Sequence, residues 1–594
     1  MFFSRQRQPR RGDGPDEITG PDVKGRGEAA IAETAVRLPA ARWLVAAGAA
    51  VGFIVGLAAL DPRFILGNGG RWLRPDNDFN AYLVAWHYFV LDRWRLPLFS
   101  IPAMGYPEGG SVLFNDALPL TALLTKLLFK ASGVLINPYG WWIFATYVLQ
   151  GAMASRIARA LGAHSILVAV GAAIFAVCSV PFTSRWFHTA LSGHFLVLWA
   201  IALYFESEAR QRLPMRQLLL IGVVAILVNP YLFVMVALIS AATVLERWVK
   251  VRPGWREVAW IGLGVAVLAG IAIVSGYGVM ITDPVAMKSV GFGLYSWNPA
   301  SLLVPRRAMW GFGRYFVRDA TGGQYEGDTY IGLGPLLLLA VSLASRPQWF
   351  LAAVRRHRVF VVTLTGFAIW AASSRVYVGS TLVLAIDLSP RMQDIANYFR
   401  ASGRFIWPLA YTLMLVPLAV VYRQWRPRMA VPLTLLAITL QLVEAAPLVT
   451  GLRAATSTIL PTLIDATQLS TWVGAHQRVW QYPSWACGGL TGETPVWGGV
   501  TTNRELQLEL LVARHGVPSN SIYTSRILKD CNKEGAWIRN TPQLEEGVLY
   551  LLAPKTVAAS PALGALTATG SCITLNWVVA CSRRWSSPTD LAGR

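Results

Sequence analysis

About eleven strongly apolar segments recur between Trp43 and Ala445, and they constrain the fold more than any motif in the chain. They run Trp43 to Leu60, Tyr139 to Ala154, Ile166 to Phe182, His194 to Phe205, Leu218 to Val228, Tyr231 to Leu245, Val258 to Tyr277, Ile331 to Ala344, Val359 to Ala372, Phe405 to Tyr422 and Met429 to Ala445. A segment in lipid has no water to satisfy its amides, so each must form its own helix, of roughly 20 residues. Hydrophobic residues make up 54% of the 594 and charged residues 14%, a balance that soluble domains of this size rarely show. The sequence therefore predicts a polytopic α-helical membrane protein with about eleven transmembrane helices.

A net charge of +21 would suit nucleic-acid binding if it were gathered on one surface. It is instead parcelled into alternate connectors: Arg5, Arg7, Arg10 and Arg11; Arg156 and Arg159; Arg210, Arg212 and Arg216; Arg247, Lys250, Arg252 and Arg256; Arg355, Arg356 and Arg358; Arg423, Arg426 and Arg428. That alternation is a topology signal, which places these connectors and the N-terminal tail in the cytoplasm and predicts no nucleic-acid partner.

The expected organisation is a disordered cytoplasmic tail over 1–42, a membrane module over 43–445 and a soluble α/β region over 446–594. Within the module, a first external loop covers 61–116 and a large external loop covers 278–330. Trp43 to Leu60 reads as an uncleaved anchor, although Leu57-Ala58-Ala59 resembles a cleavage site. Asn229-Pro230 interrupts the chain between two short apolar runs and predicts a broken helix. Leu118 to Phe129 is too short to cross and predicts a segment that dips into the membrane.

After Ala445, strand-like runs at Val479 to Tyr482, Val548 to Leu552 and Ile573 to Val579 accompany a helix-like stretch from Arg504 to His515. Four of the five cysteines lie here, which points to disulfides in an oxidising periplasm. Four cysteines admit three pairings; we favour Cys572 with Cys581 across a short hairpin, and Cys487 with Cys531. Cys178, inside a span, reads as a packing residue.

The chemistry is concentrated in the first external loop, where Asp76, Asp78, Glu108 and Asp116 return repeatedly to one short stretch between apolar segments. One Asp is explained by capping the helix that Phe79, Leu83, Trp86 and Val90 predict, but several are not. A carboxylate here can act as general base towards an acceptor hydroxyl. Asp76 and Asp78 could also share a divalent cation, Mg or Mn, the one cofactor this pattern admits. Other external connectors supply cations: Arg185, His188, His194 and Arg404 stand where an anionic head group would meet them. Interfacial anchoring to membrane lipids is the plainer role for these arginines, and an interhelical contact the plainer role for His194. The large loop adds Lys288, Arg306, Arg307 and Arg314, with Glu326 in a Gln-Tyr-Glu-Gly-Asp stretch that suits a substrate loop, as does Glu108.

Together these stretches resemble the GT-C superfamily of polyprenyl-phosphate-dependent glycosyltransferases, in particular its uncharacterised bacterial branches. The resemblance rests on Asp76 and Asp78 after the first span, and on Asn115-Asp116-Ala117-Leu118-Pro119-Leu120 followed by Lys126. The Arg185 to His194 loop, Gln324 to Gly332, and Ser402-Gly403-Arg404-Phe405 complete it. It implies a GT-C-like module with an external active site, a polyprenyl-phosphate sugar donor, a glycan or glycolipid acceptor, inversion at the sugar carbon, and a periplasmic C-terminal domain. In that frame Asp78 is the first choice for the base, Asp76 and Asp116 position the substrate or hold metal, and Arg185, His188, His194 and Arg404 meet the donor phosphate. Asp-Asn-Asp replaces the adjacent Asp-Glu of protein mannosyltransferases, which points away from protein as acceptor. The competing classes are a non-catalytic envelope polysaccharide assembly protein, a lipid-linked substrate transporter or flippase, and a membrane acyltransferase.

Overall fold

A computed structural model describes residues 42–75, 77–278, 291–305, 319–490, 500–524, 529–540, 543–568 and 571–585 of the protein. Among the described residues, six helices are long and apolar enough to cross a membrane: Arg42–Ala59, Thr189–Arg210, Pro230–Lys250, Trp255–Ser275, Ser402–Gln424 and Pro427–Ser457. Leu333–Ser345 and Pro347–Arg356 would make a seventh as one broken span, with a bend of 96° between them. The described residues are mostly helical, and these helices fit a membrane protein by length and composition. Among the expected spans, Ile166–Val177, Met215–Val228 and Arg358–Ala372 form helices of 12, 14 and 15 residues, shorter than a full crossing. The expected tail, apart from Arg42, lies outside the described residues, as do Lys288, Arg306, Arg307 and Arg314.

Local chemistry explains where the helices break. Asn229 ends Met215–Val228 in extended conformation, and its side-chain oxygen accepts the Tyr231 N–H at 2.9 Å, so Pro230 starts a new helix at the position where its missing N–H costs nothing. The segment expected to dip into the membrane is the Pro119–Ser132 helix, again opened by a proline.

Small residues decide how the first helix packs. Gly48, Gly52 and Gly56 form a stripe at four-residue spacing against Tyr139–Ala160. A Cβ on Gly52 would stand 2.1 Å from the Tyr147 carbonyl oxygen, and one on Gly48 would stand 2.4 Å from that of Gly151. The backbones touch because the first helix has no side chain at these positions, and Gly151 has none opposite Gly48.

Basic connectors gather at one end of the bundle. Glu206 takes Arg156 and Arg159 at 2.8 Å each, Lys250 pairs with Glu208 at 2.6 Å, and Arg423 donates to the Leu161 carbonyl. The opposite end closes differently. The 31-residue helix Pro427–Ser457 is about 46 Å long at 1.5 Å per residue, well beyond a hydrocarbon core of about 30 Å. Its final turns meet the end of the first helix, where Arg453 donates to the Leu57 carbonyl and Thr456 accepts the Asp61 N–H.

The C-terminal region contains a four-stranded sheet in the order Arg478–Tyr482, Val548–Leu552, Val579–Cys581, Cys572–Thr574. The first pair is parallel and the others antiparallel, so the single run expected at Ile573 to Val579 is a hairpin. Val500–His515 supplies the expected helix, and it lies against Asn77–Leu91 of the 61–116 loop. Two main-chain bonds and one side-chain bond knit the two together: Tyr106 N–H donates to Ser519 O, Ser519 N–H to Ala103 O, and the Tyr88 hydroxyl to Val517 O. The favoured disulfides are both present, Cys487–Cys531 and Cys572–Cys581, and Cys178 is a buried free thiol.

The first disulfide closes a separation of 44 residues and the second one of 9. Loop-closure entropy then assigns about 4 kcal/mol to the former and about 2.6 kcal/mol to the latter. Replacing Cys487 and Cys531 together by Ser should lower the thermal midpoint of the purified protein more than replacing Cys572 and Cys581. Equal losses would contradict this ranking.

Candidate active site

Four short elements converge at the end of the bundle away from the basic connectors. Asp78 lies in the first turn of Asn77–Leu91, where a carboxylate is favoured by the exposed amides of a helix start. Tyr82, one turn later, shares its face. His188 and Arg185 belong to the connector between the Val180–Thr183 and Thr189–Ser192 turns. Glu326 sits in the Gln324–Gly327 turn, and Arg404 in the Ser402–Ile406 turn that opens a span. The last two turns can touch because both carry glycine: a Cβ on Gly403 would fall 2.8 Å from the Gly327 Cα.

The side chains form a continuous relay. Asp78 Oδ2 is 3.0 Å from His188 Nδ1, and His188 Nε2 is 3.7 Å from Glu326 Oε1. Arg404 holds Glu326 with two parallel bonds, from Nε to Oε2 at 3.0 Å and from Nη2 to Oε1 at 2.8 Å. Arg185 Nη1 approaches the same carboxylate at 2.5 Å, while its Nη2 donates to the Tyr325 and Glu326 carbonyls. Tyr82 Oη lies 3.4 Å from His188 Nδ1. The remaining oxygen of Asp78, Oδ1, accepts the Tyr523 hydroxyl at 2.8 Å.

Exposure divides these groups by task. The Arg185 and Glu326 side chains are 1% and 5% exposed, so no substrate reaches them without rearrangement. Asp78 at 29% and His188 at 15% are reachable. Burial raises the Asp78 carboxyl, but hydrogen bonding and charge from His188, with the Tyr523 bond, outweigh it and hold Asp78 below its ordinary value. Burial likewise works against Glu326, and Arg404 and Arg185 overcome it by a wide margin. Tyr82 and Tyr523 are pushed the other way, by burial first and then by Asp78, and so remain protonated donors.

Several expected roles change. Arg185 and Arg404 both spend guanidinium edges on Glu326, and Arg185 is too buried for the donor phosphate; Arg404, 10% exposed, keeps Nη1 outside the pair. His194 is buried, with Nδ1 2.7 Å from the Tyr411 hydroxyl and its ring 3.9 Å from that of Trp407, so it is an interhelical contact and not a phosphate ligand. Glu108 pairs with Lys529 of the C-terminal region at 3.4 Å, which ties two parts of the protein together and leaves the substrate-loop role without a contact to the relay. Glu326, expected in a substrate loop, is the buried counter-ion of the cluster.

Asp116 adopts a left-handed conformation (φ 49°) that Asp tolerates, accepts a bond from Asn229 Nδ2 at 3.1 Å, and lies close enough to act electrostatically on Tyr82 and Arg404. Asp76 lies outside the described residues. Among those described, no three His, Cys, Asp or Glu side chains are grouped to hold a metal. The Asp78 oxygens face the Tyr523 hydroxyl and His188 Nδ1, and the second carboxylate of the expected cation pair, Asp76, is not among the described residues.

Tyr523 gave no signal in the sequence, since it comes from 445 residues away. It is set by Glu509, whose buried Oε2 accepts the Tyr523 N–H at 3.0 Å and Asn80 Nδ2 at 3.4 Å. Burial pushes the Glu509 carboxyl up to about 8, against the Tyr523 bond and with help from nearby Glu505.

Fold and site together define a helical bundle with candidate membrane spans and a paired acid–base cluster at one end. Residues 49–446 match the family described as Domain of unknown function (DUF6311), and residues 468–583 match the DUF6311 C-terminal domain. The chain belongs to this family. No curated protein matches it.

Two outcomes follow from the buried charges. Glu326→Gln should cost about 3–5 kcal/mol of stability, because it leaves two guanidinium ions uncompensated. The folded Glu326 carboxyl is held below its ordinary value of 4.5, so this advantage is complete above that value and is lost only as pH falls below it. Thermal midpoints of wild type and variant measured across pH would test both points. Glu509 has the opposite sign: the folded state retains a proton, so stability is complete below 4.5 and declines as pH rises to about 8. In Glu509→Gln that decline should flatten, and an unchanged slope would contradict it.

Proposed function

We propose that this protein is a GT-C-type membrane glycosyltransferase. It moves a sugar from a polyprenyl-phosphate donor to a cell-envelope glycan or glycolipid on the periplasmic face of a bacterial inner membrane, with inversion. In this reading about eleven segments cross or enter the membrane, the N-terminus is cytoplasmic, and the disulfide-bonded region is periplasmic. The observation that carries the reading is the reachable Asp78 carboxylate, held ionised beside His188 at the end of the bundle away from the arginine-rich connectors.

The acceptor hydroxyl oxygen attacks C1 of the sugar as its proton passes to the Asp78 carboxylate. The bond between C1 and the phosphate oxygen breaks, and its electron pair stays on the departing polyprenyl phosphate. Arg404 Nη1 and His188 stand nearest to take up that growing charge, and Arg185 acts behind them by fixing Glu326. Asp116, held by Asn229, positions the substrate. No step is routed through a metal.

Asp78→Asn keeps the shape and removes the base. In proteoliposomes supplied with polyprenyl-phosphate sugars, transfer should fall by about 10²–10⁴-fold while donor still binds. A deletion strain should lack one monosaccharide in its envelope glycan. Full transfer by Asp78→Asn would remove Asp78 as base, and an unaltered glycan in the deletion strain would favour a non-catalytic assembly role.

A further inference from the structure

Among the described residues, the C-terminal region meets the relay through the Tyr523 hydroxyl on Asp78, and a set of contacts holds Tyr523 there. Tyr523 is fixed at its N–H by Glu509 of the Val500–His515 helix and at its carbonyl by Asn115 Nδ2, 3.4 Å away. The next residue, Thr524, donates its hydroxyl to the Asn115 oxygen at 2.9 Å, so one asparagine of the first external loop grips two successive residues. The Trp485 ring packs against the Tyr523 ring at 5.2 Å, and the Trp485 N–H donates to Ser521. Asn80, two residues after Asp78, donates to the same Glu509 oxygen that accepts the Tyr523 N–H.

Every fixed point places the phenol on Asp78 Oδ1, while Oδ2 faces His188 of the membrane module. Asp78 is thus held on one side by each half of the protein. We propose that the C-terminal region is a working part of the site and not an appended module: Tyr523 is a positioning residue that sets the orientation and proton affinity of Asp78. Docking of the C-terminal region on the first external loop then becomes a condition for activity. The proposal deepens the glycosyltransferase reading and rests on it for its consequence, although the Tyr523–Asp78 coupling can be measured without turnover.

A hydroxyl donated to a carboxylate favours its ionised form, so loss of the bond makes protonation easier. The full-length protein in bilayers, followed by pH-difference infrared spectroscopy, reports the protonated carboxyl band, which Asp78→Asn assigns. In Tyr523→Phe the midpoint of that band should move to higher pH by about one unit, a tenfold rise in proton affinity. The acid limb of the pH profile of kcat/KM should move the same way. In case Tyr523→Phe does not fold, 3-fluorotyrosine at position 523 keeps the shape and donates more strongly, so its midpoint should move to lower pH. An unshifted band in folded Tyr523→Phe, or in the fluorinated protein, overturns the proposal. Transfer by Asp78→Asn at the wild-type rate would instead overturn the reading of Asp78 as base, with the coupling still measurable.

Discussion

The site end of this protein depends on one carboxylate between two guanidinium groups. Glu326 is almost wholly buried at the end of a helical bundle, where an unpaired charge would cost several kcal/mol. Arg185 and Arg404 come from different connectors, and both need the same partner. Three turns distant in sequence are therefore locked together. That lock fixes the reachable groups: His188 follows Arg185 by three residues and faces Glu326 through one nitrogen and Asp78 through the other.

A second constraint comes from the first external loop, which serves two masters. Its helix carries Asp78 and Tyr82 towards the relay, while Asn80 and Tyr88 face the C-terminal region. Alternating faces of one helix thus bind two bodies of structure, and the main-chain bonds between Ala103, Tyr106 and Ser519 add contacts that do not depend on side-chain identity. Glu108 belongs to this junction through Lys529. The carboxylates of the loop are consequently divided between the relay and the junction, although they look alike in the sequence.

Much of the fold was legible because its causes are local. Apolar runs declare helices, Asn229-Pro230 declares a break through a cap and a missing donor, and cysteines 9 residues apart declare a hairpin disulfide. Span lengths were less legible, because hydropathy continues through a helix end: Pro427–Ser457 runs twelve residues past Ala445, whereas Ile166–Val177 stops short of Phe182. In the site, Asp78, Arg185, His188 and Arg404 were recognisable as candidates by residue type and position. Their pairing was not, and His194 carried the same signature as His188 although Tyr411 and Trp407 enclose it.

The sequence by itself determined a chain of apolar helices that fit a membrane protein, with a disulfide-bonded C-terminal region and acids gathered in one loop between apolar segments. Each of those properties is written in the composition or spacing of neighbouring residues. Only the tertiary structure decided that Glu326 is the counter-ion of two arginines, that Asp78 joins His188, and that Tyr523 closes the cluster from 445 residues away. The physical reason is that a hydrogen bond or ion pair depends on a separation of about 3 Å in space. Two connectors meet at that distance only after the helices between them have packed.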